Sequence, residues 1–398
     1  MKKIIKNNVS WVGKVDWELK KFHGDDYSTH KGSTYNSYLI QEEKNVLIDT
    51  VWLPFAEEFV ANLASEIELN KIDYIIANHG EVDHSGALPA LLKLIPATPV
   101  YCSANAVKSL KGQYHQDWNF KIVKTGDSLD IGNGKRLTFV EMPMLHWPDS
   151  MASYLSTDNI LFSNDAFGQH YATEMLFNDL VDQCDLFNES IKYYANILTP
   201  YSPILTKKLK EITALNLPID IIATSHGVIW RDNPMQIVEK YSSWADNYQQ
   251  DQISIIYETM WNGTKKIAEK IAEGISLASP GTMVKLFNLA KNDNNDLITE
   301  VFKSKMAVIG SPTVNNSIMH SSAGFIHLLK EMKFKNKKAA SFGCYGWSGE
   351  STKVLNEQLE KAGFQLVNEG FKNQWNPDDT QQESALEFGK KIAEACKI

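Results

Sequence analysis

The sequence of 398 residues is poor in cysteine, and its four cysteines are scattered: Cys102, Cys184, Cys344 and Cys396. No two of them form a Cys-x-x-Cys pair. This spacing argues against a disulfide framework, a cysteine-ligated zinc site and an iron–sulfur or rubredoxin-type iron site within the chain. We therefore expect no rubredoxin domain here.

Long apolar runs are also missing. No stretch of about 18 apolar residues occurs, so we expect no membrane-spanning helix. The N-terminal segment 1–8 is basic but is not followed by the apolar region of a signal peptide, which predicts a cytoplasmic protein.

Positive charge is not in excess either. Lysine and arginine number 40 and the acidic residues 48, which gives a formal net charge of −8. Nucleic-acid binding needs a basic surface, so we expect no such partner.

Length and pattern predict an α/β protein of two domains, residues 1–249 and 250–398. In the first, apolar strands often end in polar loops, and a hairpin is expected from strands at 37–40 and 45–49. The polar stretch 249–252 is interpreted as a linker. After it strands alternate strictly with helices, which predicts a doubly wound parallel sheet.

Metal-ligand residue types cluster after several apolar strands. The segment Asn78-His79-Gly80-Glu81-Val82-Asp83-His84 carries four of them within six residues. Three more stand just past other strands, namely His146, Asp165 and His226. If these strands are neighbours, the seven side chains converge at one edge of a sheet.

The residue types then restrict the metal. Seven ligands are too many for one ion, but two adjacent ions that share a carboxylate can use them. Imidazole and carboxylate donors suit zinc, manganese and iron. A carboxylate-rich pair favours redox iron. His23, His170 and Tyr193 are further candidates for the pocket, each equally compatible with a structural role.

Three loops at strand ends of the second half predict a flavin site. The first opens a helix and is suited to a phosphate, with hydroxyl and backbone N–H donors and no lysine or arginine. The absence of GK[ST] and G-x-G-x-x-G disfavours a Walker nucleotide site and a dinucleotide, and favours FMN. The predicted FMN-binding residues are Thr259, Met260, Trp261, Asn262, Gly263, Thr264, Ser311, Pro312, Thr313, Val314, Asn315, Asn316, Gly343, Cys344, Tyr345, Gly346, Trp347, Ser348 and Gly349.

With these motifs the chain resembles the flavodiiron proteins. Residues 30–230 resemble the metallo-β-lactamase fold, an αββα sandwich, but read H-x-E-x-D-H where hydrolytic members have H-x-H-x-D-H. The T-M-W-x-x-T loop from Thr259 to Thr264 resembles the phosphate loop of the flavodiiron flavodoxin domain. The resemblance covers nearly the whole chain.

The resemblance implies that His79, Glu81 and His146 hold one iron, that Asp83 and His226 hold the other, with His84 in some members, and that Asp165 bridges them. It implies reduction of O2 to water or of NO to N2O, with electrons relayed by FMN from a donor such as rubredoxin or a reductase. It also implies a head-to-tail homodimer, or a dimer of dimers.

Two other functions stay open at this point. One is a dizinc hydrolase of the lactamase fold with an attached flavodoxin, which the glutamate at position 81 disfavours. The other is an electron-transfer flavoprotein whose metal domain is only structural.

Overall fold

A computed structural model describes residues 2–214 and 216–397. The chain divides into two compact units, Met1–Tyr193 with Tyr201–Ser242, and Tyr194–Pro200 with Ser243–Ile398. The division therefore lies slightly before the domain boundary that the sequence predicts. None of the helices in the described part of the chain is long and apolar enough to cross a membrane.

The first unit is built mainly from strands. In chain order these are β1 (Lys3–Lys6), β2 (Val9–Trp11), β3 (Lys14–Asp16), β4 (Lys21–Phe22), β5 (Tyr27–Ser28), β6 (Ser33–Tyr35), β7 (Tyr38–Ile40), β8 (Asn45–Ile48), β9 (Ile72–Ile76), β10 (Val100–Cys102), β11 (Phe120–Ile122), β12 (Ser128–Gly132), β13 (Lys135–Glu141), β14 (Met151–Leu155), β15 (Ile160–Asn164) and β16 (Ile221–Thr224). Its helices are α1 (Ala56–Glu66), the single turn α2 (Val82–Ser85), α3 (Leu88–Leu94), α4 (Ala104–Tyr114), α5 (Gln183–Tyr193), α6 (Ser202–Ala214) and α7 (Met235–Ala245).

Two sheets face each other in this unit. One has the order β1-β2-β7-β8-β9-β10-β11 and the other β12-β13-β14-β15-β16. Their inner faces form one core, to which Tyr38 and Ile48 contribute from the first sheet and Phe139 and Phe162 from the second. Side chains alternate along a strand, so every second residue of each sheet enters this core. The expected two-sheet sandwich is confirmed.

The second unit alternates strands and helices. Its elements are β17 (Gln250–Tyr257), α8 (Gly263–Ala278), β18 (Met283–Asn288), α9 (Asn294–Lys303), β19 (Ser304–Gly310), α10 (His320–Glu331), β20 (Lys338–Tyr345), α11 (Ser351–Lys361), β21 (Gln365–Leu366), β22 (Phe371–Gln374) and α12 (Asp379–Ala395). The sheet order is β18-β17-β19-β20-β21, with β22 also paired to β20. The pairings are parallel.

Both faces of this sheet are covered. Ile253, Ile255 and Tyr257 pack into a core with α8 and α12, while the intervening Ser254 and Ile256 are also buried. Continuous burial along a strand is the mark of a parallel sheet with helices on both sides. The predicted doubly wound sheet is confirmed.

Most predicted strands and helices are present, including the antiparallel hairpin of β7 and β8. The linker predicted at 249–252 is wrong. Gln250 pairs with Ser304 and already belongs to β17, and Gln252 is fully buried. Its side-chain amide donates to Ser304 Oγ at 3.0 Å and to Glu300 Oε2 at 2.9 Å. Polar composition misled the prediction because Gln250 and Asp251 are exposed residues of a strand rather than of a linker, while Gln252 finds polar partners inside the unit.

Candidate metal centre and flavin pocket

The seven predicted metal ligands come together at one end of the first unit. His79 and Glu81 lie in the loop that follows β9, and Asp83 and His84 lie on the single turn α2. The other three follow β13, β15 and β16 in the loops that carry His146, Asp165 and His226.

Their donor atoms form two groups, in each of which the atoms lie within 4.8 Å of one another. In the first, His79 Nε2 is 3.2 Å from Glu81 Oε2, and His146 Nε2 is 3.5 Å from the same oxygen. Bonds of about 2.1 Å to one ion place ligand atoms about 3–3.5 Å apart, which is the spacing observed.

The second group contains Asp83, His84 and His226. Asp83 Oδ2 is 3.1 Å from His84 Nε2 and 2.9 Å from His226 Nε2. The imidazole of His84 therefore points into the site rather than away from it. Each group therefore has a carboxylate of its own, which is Asp83 in this group and Glu81 in the first.

Asp165 belongs to the first group and also reaches the second. Its Oδ2 is 3.6 Å from His79 Nε2 and 3.5 Å from His146 Nε2, while its Oδ1 is 3.0 Å from His84 Nε2. Although both oxygens are buried, neither accepts an aligned hydrogen bond from any described residue. A buried carboxylate without such partners is costly unless a cation meets it. The donor set thus fits a pair of ions that share this carboxylate.

Charge within the site is balanced by the imidazoles. Burial would raise the pKa of the Asp165 carboxyl, but the neighbouring His84 and His79 hold it well below its usual range. Burial likewise lowers the pKa of His79, yet its contacts with Asp149 and Glu81 raise it to about 10. The carboxylates are therefore ionised at neutral pH, as ligation requires. The protons on the imidazoles would be released when ions bind, because a ligating imidazole is neutral.

A second site lies at the carboxyl ends of the strands in the other unit. A pocket of about 490 Å³ opens there. It is lined by Thr259, Met260, Trp261, Gly263, Thr264, Pro312, Thr313, Asn315, Asn316, Cys344, Tyr345, Gly346, Trp347, Ser348, Trp375 and Asn376.

The base of this pocket is suited to a phosphate. Thr264 stands in the first turn of α8, where the N–H groups and the helix dipole favour an anion. The hydroxyls of Thr259 and Thr264 are buried and have no hydrogen-bond partner among the described residues. Two such donors without a lysine or arginine in the lining fit a phosphate monoester, the group that FMN carries.

Five of the predicted flavin residues do not line the pocket: Asn262, Ser311, Val314, Gly343 and Gly349. Ser311 accepts a hydrogen bond from Met319 N at 3.1 Å and thus shapes its own loop. Gly343 allows a close approach of two strands, because a Cβ there would lie 2.1 Å from Ser311 O. Adjacency in sequence groups the residues of each loop but does not separate those that line the pocket from those that do not.

Comparison with known proteins agrees with both sites. The family model described as ODP family beta lactamase matches residues 34–227, and the flavodoxin model matches residues 255–389. The chain is 54% identical over 391 residues to the anaerobic nitric oxide reductase flavorubredoxin of Escherichia coli O1:K1 / APEC, covering 98% of this chain and 81% of that protein. Its identity to the Salmonella paratyphi B (strain ATCC BAA-1250 / SPB7) protein of the same name is 55%, with the same coverage.

Among solved structures, the rubredoxin oxygen:oxidoreductase from Desulfovibrio gigas has a TM-score of 0.96 at 35% identity, covering 100% of this chain and 99% of that one. The flavodiiron protein from Giardia intestinalis has a TM-score of 0.95 at 31% identity, covering 100% and 97%. The chain belongs to the flavodiiron protein family. As a flavodiiron protein it is an oxidoreductase, with FMN in its flavodoxin domain and a non-haem diiron site in its lactamase-like domain.

The diiron site of this flavodiiron protein has supporting residues that sequence reasoning missed. Asp149, fully buried, lies 2.9 Å from His79 Nδ1 through Oδ1 and accepts from Gly80 N at 3.0 Å through Oδ2. His226 Nδ1 lies 2.6 Å from the carbonyl oxygen of Thr34, which can only accept. Each contact directs the Nε2 lone pair of its histidine towards the metal position.

A third support acts through the backbone. Asp49 accepts from Asn78 N at 2.7 Å and from Asn78 Nδ2 at 3.1 Å, which fixes the start of the ligand loop. Burial raises the pKa of Asp49 to about 6. The only signal in the sequence is an aspartate directly after an apolar run. In the structure the chain turns at this residue with a positive φ of 53°.

The three further candidates also lie beside the ligands. His23 Nε2 is 3.1 Å from Glu81 Oε1. The ring of His170 is 4.9 Å from that of His226 and 5.3 Å from that of Tyr193. In the flavin pocket, the sequence analysis missed Trp375 and Asn376. They directly follow β22, and an aromatic and an amide residue at the end of a strand are the signal that could have indicated them.

Proposed function

We propose that this flavodiiron protein reduces nitric oxide to nitrous oxide in the cytoplasm, and that dioxygen, reduced to water, is its second substrate. The observation that carries the proposal is the pair of donor groups that share Asp165. The names of the 54%-identical relatives favour nitric oxide, and the likeness to the Desulfovibrio gigas enzyme supports dioxygen.

The residues have distinct roles in this proposal. His79, Glu81 and His146 would hold one iron, Asp83, His84 and His226 would hold the other, and Asp165, whose two oxygens reach both groups, would serve both. The iron pair and FMN, when bound, supply two electrons each, which is sufficient for either gas. Asp149 and Thr34 keep the imidazoles of His79 and His226 oriented. Burial raises the pKa of Tyr193 well above its usual value, so its phenol stays protonated beside His170.

The flavin site extends over the three predicted loops, and the functional domains are residues 1–249 for iron and 250–398 for FMN. We propose rubredoxin as the electron donor, because the names of two relatives, flavorubredoxin and rubredoxin oxygen:oxidoreductase, include it. The hydrolase alternative conflicts with the family and with Glu81. An electron carrier with a structural metal domain would not consume gas.

Turnover of the reduced protein under anaerobic conditions tests the substrate. Consumption of each gas is measured separately, together with iron, zinc and FMN per chain. We expect faster consumption of nitric oxide than of dioxygen, and two irons and one FMN. Zinc in an active preparation would exclude the diiron proposal, and faster dioxygen consumption would reverse the order of the substrates.

The functional unit is a head-to-tail homodimer in which FMN of one copy serves the irons of the other. The flavin pocket supports this, because Trp261 and Trp347 at its rim are 86% and 89% exposed. Large exposed aromatic side chains that cluster mark an interaction surface. A variant without FMN, with Thr259 and Thr264 replaced by valine, is mixed with the His79→Ala variant. Activity should return in the mixture; if subunits exchange and no activity returns, the electron path lies within one chain.

A further inference from the structure

The second sheet of the first unit has an outer face that is incompletely filled. Residues alternate along β15, so Ile160 and Phe162 enter the core between the sheets. Leu161 and Ser163 point to the opposite side, where they line a cavity of about 200 Å³ below α6 and α7.

The cavity is apolar. Its lining consists of Met142, Leu161, Ser163, Phe167, Leu209, Ile212, Thr213, Asn216, Leu217, Ile219, Met235 and Val238, and no charged side chain occurs among them. The hydroxyl of Ser163 donates to the carbonyl oxygen of Ala166 at 2.7 Å and is therefore satisfied within its own turn. An enclosed cavity of about 150 Å³ lined by leucine, isoleucine and phenylalanine stays dry and takes up xenon or benzene. The buried part of this lining, which includes Leu161 and Phe167, is mainly of that kind.

Burial changes along the cavity. Met142, Leu161 and Phe167 at one end are buried, whereas Asn216 and Leu217 at the other end are exposed. The cavity thus leads from the surface inwards. Thr213 and Asn216 are polar residues at the exposed end, whereas the polar Ser163 is buried and satisfied within its own turn.

The inner end adjoins the metal ligands in sequence. Ser163 and Phe167 each stand two residues from Asp165, so the turn that forms the inner wall also carries the shared carboxylate. Phe167 has a positive φ of 70°, which is strained for a bulky residue. Its ring contacts Tyr241 at a centroid distance of 4.8 Å, and its carbonyl accepts from Trp230 Nε1 at 2.9 Å. Packing thus holds the ring in the cavity wall despite the strain.

We propose that this cavity binds a small uncharged gas molecule and concentrates it beside the turn that carries Asp165. The inference rests on the proposed function, because nitric oxide, dioxygen and nitrous oxide are all apolar enough to prefer such a cavity over water. A charged or strongly polar metabolite would find no partner at the buried end.

Xenon is the probe for binding. A crystal of the loaded enzyme under xenon pressure should show xenon between Leu161, Phe167 and Val238. The Val238→Phe variant fills the space and should lose it. Glu239→Phe, which adds the same ring at an exposed position of α7, should keep it.

Gas kinetics test whether the bound gas serves turnover. Val238→Phe should raise KM for nitric oxide and for dioxygen by roughly threefold to tenfold with kcat little changed, as expected for loss of a binding step. Absence of xenon from the wild-type cavity overturns the proposal, and so does an unchanged KM in a variant that no longer binds xenon. An enzyme that binds xenon but consumes neither gas would refute the proposed function instead.

Discussion

The contact between Asp149 and His79 allows a quantitative prediction. In Asp149→Asn the side chain keeps its shape but offers one oxygen instead of two. The native carboxylate meets two N–H groups, Nδ1–H of His79 at 2.9 Å and the amide of Gly80 at 3.0 Å. An asparagine can accept from only one of them, and its own NH2 then faces the other donor.

The magnitude follows from that lost bond. A hydrogen bond to a charged group contributes about 1.5–3 kcal/mol. If the loss falls on the orientation of His79, iron affinity should drop about tenfold to a hundredfold, which is the range found for groups that support metal ligands. FMN affinity should not change, because its pocket lies in the other unit.

The assay is competition with an iron chelator under anaerobic conditions, with iron and FMN per chain measured at each chelator concentration. Asp117→Asn is a suitable control, because that side chain is 85% exposed and pairs with Lys111. An Asp149→Asn protein that retains its FMN, melts normally and binds iron as tightly as the wild type would show that the contact does not support the ligand.

Three further predictions concern single residues. Asp165→Ala should lose both irons and keep FMN in elemental and flavin analysis, and retention of two irons would show that Asp165 is not the bridge. Thr264→Val should weaken FMN binding about tenfold to a hundredfold without changing iron content, and equal flavin affinity by titration would locate the phosphate elsewhere. Lys337 is buried, which lowers its pKa to about 7 from 10.5, so the unfolded chain binds more protons between these values and stability should rise with pH there. Melting temperatures of Lys337→Met should lack this rise, whereas those of the exposed control Lys335→Met should keep it; parallel curves for all three proteins would contradict the assignment.

Much of the metal site could be predicted because its residues are placed by strands. His146, Asp165 and His226 each follow an apolar run, and such runs reveal both the strand and its end. Their convergence still required the assumption that the strands are neighbours, which the sequence does not contain. The pairing of β15 with β16 supplies it for Asp165 and His226.

The supporting residues could not be predicted in the same way. The contact of Asp149 with His79 joins positions 70 residues apart, and that of His226 with Thr34 joins positions 192 apart through a backbone carbonyl. A carbonyl has no side-chain signature at all. Trp375 was not predicted as part of the flavin pocket for a related reason. The strand before it, β22, is short, and its mixed burial gives no clear pattern in the sequence.

The linker error has a different origin. A run of glutamine and aspartate is typical of a connection between domains, yet here its last residues open a strand, and Gln252 satisfies its hydrogen bonds inside the unit. Composition predicts exposure only when no partners are available. Gln252 has partners on both α9 and β19.

One carboxylate that completes two donor sets also determines how the centre assembles. An iron held by the first donor set would fix the side chain of Asp165, whose other oxygen already faces the second set. We therefore expect cooperative loading and few molecules with a single iron. When iron is limiting, the protein should divide into loaded and empty copies, and total gas consumption should fall in proportion to the loaded fraction.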